Sequence, residues 1–290
     1  MAIVNKDGFE FYSDIKGDPD YFIFKGVDLN VELEYVKREN IKSVAFDFFY
    51  SKEIRNLDFL ENLKQIEKVS LDDVDFNFNG LYYLHLLKDL SITIKNKDQH
   101  LDFSKFLNIK RLSINWYINF PNLTKNTKLK ELKIWKFRPK SKSLSALRLP
   151  QEIEILKISE TNILNLEGLE VSNLREFEGY YCNSLVSLKG IDKFSKTLNV
   201  LVLDYCRKLT FYNSLENLVN LEKLIIGDCG DIPDIQWINN LKRINHFSFW
   251  NTKLLDGDTS PCLGIEYVSF KNQKYFNYKL EDIIERKYKL

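Results

Sequence analysis

The stretch Leu198-Asn199-Val200-Leu201-Val202-Leu203-Asp204-Tyr205-Cys206-Arg207-Lys208-Leu209 returns 23 residues later as Leu221-Glu222-Lys223-Leu224-Ile225-Ile226-Gly227-Asp228-Cys229-Gly230-Asp231-Ile232. Apolar residues hold places one, four, six and twelve of both copies, with cysteine at place nine. Alternation through places four to six predicts a short strand with one apolar face. Cysteine, small and weakly polar, suits the bend where the chain leaves the strand and buried backbone groups need partners. One such strand cannot bury its apolar face alone. A second copy at fixed spacing can stack on the first and share a core.

The pattern continues in both directions. Its first place falls at Ile41, Ile66, Leu87, Ile109, Leu129, Ile153, Leu174, Leu198, Leu221, Ile244 and Ile265. Gaps run from 20 to 25 residues and span 224 residues in ten steps, a mean of about 22. Places four and six are apolar in nearly every copy, from Val44/Phe46 in the first to Val268/Phe270 in the last. The copy at Leu174 has Phe177 but then Gly179, the one break.

Eleven copies in register over residues 41–273 resemble the leucine-rich repeat superfamily, whose unit is L-x-x-L-x-L-x-x-N/C-x-L. The resemblance implies an α/β fold, a leucine-rich repeat solenoid curved like a horseshoe. Its parallel β-sheet would line the concave face with about eleven rungs. Residues 1–40 lack the repeat: Phe9/Phe11 and Phe22/Phe24 read as strands around Gly17-Asp18-Pro19, and Leu29, Leu33 and Val36 follow Asp28 at helical spacing. They are expected to form an N-terminal cap. Residues 274–290 are expected to form a C-terminal cap helix carrying Ile283, Ile284 and Lys287, the whole being one continuous domain. Leu57/Leu60/Leu63 and Leu81/Leu84 predict short helical turns on the return side.

Hydrophobic residues make up 44% of 290, enough for a continuous core, and the formal charge of +1 singles out no partner class. Met1 to Tyr12 shows no basic segment followed by an apolar run, and no stretch approaches the roughly 20 apolar residues of a membrane span. With the cysteines read as reduced, the expectation is a cytoplasmic monomer without a membrane contact. Cys182, Cys206 and Cys229 fall at place nine of three successive copies and should stack as a ladder. Strand spacing would allow a disulfide by distance, yet a packing role is expected. The missing Cys-x-x-Cys and Cys-x-x-His pairs argue against a metal. Cys262 stands apart, after a loop at 256–261 that reads as a turn rather than a calcium site.

Catalysis has little support, and no cofactor is expected. His85, His100 and His246 are far apart, and no nucleophile elbow, phosphate-cradling glycine loop or His-Glu-x-x-His is present. Binding is the better reading. Places three, five and seven should face outward from the sheet, with place eight at the rim. There the sequence sets Trp135, Tyr180, Asp204 and Trp250 at place seven, and Trp116, Tyr181, Tyr205 and Asp228 at place eight. Trp and Tyr beside acids have the composition of a protein-binding hot spot. Packing of these aromatics between neighbouring rungs is the alternative. The expected role is a non-catalytic protein-interaction module, by analogy an inhibitor or immunity-type protein. A second reading is nucleic-acid or polyanion binding. Residues 104–148 hold twelve Lys or Arg against one acid, with Arg111, Lys133 and Lys136 best placed at the strands. The same block also reads as a solvated surface.

Overall fold

The computed structural model describes residues 2–94, 101–116 and 122–287. The chain forms two compact units, residues 1–132 and 133–290.

The first unit opens with β1 (Ile3–Lys6), β2 (Phe9–Ser13) and β3 (Pro19–Ile23), joined antiparallel. Helix α1 (Leu29–Arg38) follows, and the Asp28 side chain accepts from the Val31 N–H at its start. Its buried residues are Glu32, Tyr35 and Val36, whereas Leu29 and Leu33 are only half-buried. Glu32 points inward because its carboxylate accepts the Lys25 and Gly26 N–H groups, capping the bend after β3. An aromatic cluster closes this end: Tyr35 stacks on Phe9 at 4.1 Å, and Phe24 stacks on Phe46 at 5.4 Å. From β3 onward the pairing is parallel, through β4 (Ser43–Asp47), β5 (Lys68–Val74), β6 (Asp89–Ile94) and β7 (Arg111–Asn115). Strand β8 (Glu131–Trp135) contains the boundary between the units.

The second unit continues the repeat with β9 (Ile155–Ser159), β10 (Glu176–Tyr180), β11 (Val200–Asp204), β12 (Lys223–Gly227), β13 (His246–Trp250) and β14 (Tyr267–Ser269). All pair in parallel with like places opposite one another: Leu156, Phe177, Leu201, Leu224, Phe247 and Val268 form one row. Strands β10 to β13 start the same way, because one carbonyl in the preceding copy accepts two donors from the segment that leads into the strand. The Arg175 carbonyl takes the Asn199 and Val200 N–H groups, and the Asn199 carbonyl takes those of Glu222 and Lys223. That shared bond fixes the register, so the apolar places cannot slip. Gly179 does not interrupt β10. A Cβ there would sit 3.3 Å from both Cys182 Sγ and Leu203 Cδ2, so its neighbours already fill the space.

The return segments are short 3₁₀ turns rather than α-helices, among them Asp58–Asn62, Asn213–Asn217 and Gln236–Asn240. A 3₁₀ turn rises about 2.0 Å per residue against 1.5 Å for an α-helix, so it returns the chain within a short repeat. Each drives apolar residues into the core, such as Leu60, Leu215 and Ile238. Cys182, Cys206, Cys229 and Cys262 are buried free thiols. The Cys206 Sγ lies 3.7 Å from the Gly179 carbonyl and the Cys229 Sγ 3.6 Å from that of Leu203, so each thiol donates to a strand carbonyl near the end of the preceding rung. Helix α2 (Leu280–Lys287) buries Ile283 and leaves Ile284 exposed.

Candidate functional site: an outward sheet face

Strand alternation sends places four and six of each rung into the core and places three, five and seven to the opposite face. In the second unit this outward face holds two clusters. On β9 and β10, Lys157 Nζ lies 2.7 Å from Glu176 Oε1 and 3.0 Å from Glu178 Oε1. The Tyr180 hydroxyl donates to Glu178 Oε2 at 2.8 Å, which fixes the phenol ring. Burial and then the Glu178 carboxylate push Tyr180 up to about 12. For Glu178, burial alone would raise the pKa, but the Lys157 ammonium and the donating Tyr180 hydroxyl outweigh it and hold the carboxyl below its usual 4.5. A depressed folded value stabilises above the unfolded value and is lost as pH falls through the folded one. The stability difference between the wild type and Lys157→Met is therefore expected to shrink as pH drops from 7 to 3, followed by urea unfolding at each pH. A difference independent of pH would assign Lys157 to packing alone.

The second cluster lies one rung further. Asp204, Gly227 and Trp250 are direct neighbours at place seven of β11, β12 and β13. A Cβ on Gly227 would stand 2.3 Å from Trp250 Cε2 and 2.6 Å from Asp204 Oδ1, so the indole lies over the glycine and reaches towards the carboxylate. Among the described residues, Asp204 Oδ1 is buried and has no hydrogen-bond partner. Burial, followed by the Asp228 charge, raises its pKa. Asp228 in turn accepts from Asn251 Nδ2 at 3.3 Å.

The rim has a backbone signature. Lys136, Glu160, Tyr181, Tyr205, Asp228 and Asn251, place eight in six copies, all have φ between 46° and 57°. Non-glycine residues seldom adopt this left-handed conformation, and a bulky one does so at a cost. Tyr181 and Tyr205 nevertheless stand side by side there, rings stacked at 4.6 Å and 13°, with Arg207 above Tyr205. Replacing Tyr205 by Gly relieves about 1 kcal/mol of backbone strain and removes a stack of similar worth. The expected change in unfolding free energy, measured in urea, is thus under about 1 kcal/mol. A loss of several kcal/mol would make the stack a structural element.

The remaining anticipated residues are less exposed than their place suggested. Trp135, at the end of β8, is half-buried, as are Tyr180 and Tyr205, while Tyr181 is 47% and Trp250 39% exposed. Trp116 is half-buried and belongs to the first unit, so it is not part of the clusters on β9 to β13. Of the basic set, Arg111 is ion-paired with Asp89 at 2.5 Å, Lys133 is half-buried, and Lys136 is exposed at the rim. Arg111 lies in the first unit and the two lysines in the second. Tyr117 and His100 fall outside the described residues. His85 is exposed, and His246 stacks on Tyr267 at 4.3 Å. The Lys157–Glu176–Glu178 cluster was not anticipated. Its signal is in the sequence, as opposite charges at places three and five of adjacent copies.

Among the described residues no group of His, Cys, Asp and Glu could hold a metal ion, and no helix is long and apolar enough to cross a membrane. No protein-family model matches the sequence, nor does any curated protein. Solved structures do match. An internalin (inlF) from Listeria monocytogenes is 15% identical with a TM-score of 0.55, covering 81% of this chain and 77% of its own. A leucine-rich repeat protein from Leptospira interrogans is 16% identical with a TM-score of 0.50, covering 87% of this chain and 72% of its own.

Proposed function

For a chain with the leucine-rich repeat fold, we propose a non-catalytic role as a protein-interaction module that grips a protein partner on the outward sheet face of its second unit. The observation that carries this reading is the row Asp204–Gly227–Trp250. An indole laid over a glycine and 39% exposed offers a partner an apolar anchor, and the half-buried Asp204 carboxylate beside it adds a charged acceptor. Trp135, Tyr180, Tyr181, Tyr205 and Asp228 extend the contact surface, and Trp116 is proposed as a contact of the first unit. Retention of two tyrosines on a strained rim, where glycine or asparagine would fit better, supports selection for something other than folding.

The proposal extends to an inhibitor or immunity-type role, in which the face covers part of an enzyme partner. Four buried free thiols support a reducing, cytoplasmic compartment. Polyanion binding is the weaker reading, since Arg111 is neutralised by Asp89.

The triple variant Trp135→Ala, Tyr180→Ala and Trp250→Ala is expected to weaken capture of the native partner about 100-fold or more, because truncated anchors each cost about 2 kcal/mol. Unchanged capture by a folded triple variant would refute the face. Capture should fall only modestly between about 50 and 200 mM salt, whereas a polyanion contact falls steeply.

A further inference from the structure

Strand β14 has three residues where β9 to β13 have five each. The shortfall interrupts a backbone ladder. In the second unit each place-eight N–H donates to the place-seven carbonyl one rung on: Glu160 to Tyr180, Tyr181 to Asp204, Tyr205 to Gly227 and Asp228 to Trp250, at 2.9–3.0 Å. Asn251 has the same left-handed backbone, with φ 48°, but its N–H has no acceptor among the described residues. Its partner would be the carbonyl of Lys271, and β14 has already ended at Ser269.

The divergence opens a pocket of about 580 Å³. Phe249 and Phe276, both buried, and Trp250 and Tyr275, both exposed, line it. Asn251, Thr252, Lys253, Lys271 and Gln273 complete the lining, with no acidic residue among them. Both lysines are exposed and neither is in an ion pair among the described residues. An unpaired N–H in a left-handed bend together with two ammonium groups makes a site for an anion. The aromatic lining and the volume, within the few hundred Å³ of small-ligand clefts, suit an organic carboxylate with an apolar neighbour better than a bare inorganic ion.

We infer that this pocket is a carboxylate-binding site, which takes an Asp or Glu side chain of a peptide segment with an adjoining apolar residue packed on Trp250 and Tyr275. The occupant rests on the protein-interaction reading above; the unpaired Asn251 N–H and the two lysines of the lining do not.

The test is a titration of the full ¹⁵N-labelled chain with acetyl-Gly-Phe-Glu-Gly amide, its Gln isostere and inorganic phosphate. The Glu peptide is expected to shift the Asn251 amide and those of 271–276. Binding should weaken at least tenfold for the Gln isostere, and at least tenfold for the Glu peptide with Lys253→Gln/Lys271→Gln, whose own spectrum reports its fold. No shift, equal binding of the Gln isostere, or equal shifts from phosphate would each overturn the assignment. The two readings fail separately. A chain that binds the Glu peptide, yet captures its partner equally well after loss of Trp135 and Tyr180, keeps the pocket and loses the wider face. Partner capture that needs those aromatics, without any peptide shift, does the reverse.

Discussion

Leu224→Ala is expected to lower the unfolding free energy of the second unit by about 3 kcal/mol. Leu224 is fully buried at place four of β12, with Leu201 of β11 and Phe247 of β13 as its direct strand neighbours, both also fully buried. Truncation removes the transfer energy of three carbons and leaves a cavity. The bifurcated bonds to the Asn199 carbonyl hold β12 at its spacing, so the rungs cannot close over the gap. In a solenoid each rung touches only its neighbours, so the damage is local before it is global. Hydrogen exchange should accelerate first in β11, β12 and β13. Urea unfolding showing a loss below about 1 kcal/mol would mean that place four is not core.

Gly230→Ala is expected to cost about as much, roughly 3 kcal/mol, for the opposite reason of overpacking. A Cβ there would stand 2.0 Å from the Leu209 carbonyl oxygen and 3.1 Å from that of Arg207, both backbone atoms. Gly230 cannot swing away, since its N–H donates to the Cys206 carbonyl and its own carbonyl accepts the Tyr212 hydroxyl at 2.8 Å. Gly264 is the control. It has φ +86° but nothing within 4 Å of its absent Cβ, so Gly264→Ala should cost only the conformational strain of about 1 kcal/mol. Melting curves that rank the two variants the other way round would show that the backbone at Gly230 can yield.

The strands were legible because burial is periodic. Val44, Val69, Leu90 and Leu112, read as equivalent from spacing alone, are opposite one another in the sheet of the first unit. The Asp28 cap of α1 was legible for the same local reason. The inward Glu32 was not, because its partners are backbone groups of the bend after β3, and a charged residue carries no sign of such a role. The ion pair of Arg111 with Asp89 joins two rungs 22 residues apart, so counting charge along the chain could not discount it.

The amino-acid order by itself determined where each rung begins and which residues enter the core, since hydrophobic period and repeat length are properties of the chain. Tertiary structure decided what the outward face presents. Trp250 lies over Gly227 only because two rungs align, and Asp204 Oδ1 lacks a donor only because of what surrounds it. The unpaired N–H of Asn251 depends likewise on where the adjacent strand ends. These are relations between residues about 20 or more apart, and packing fixes them where local preference does not.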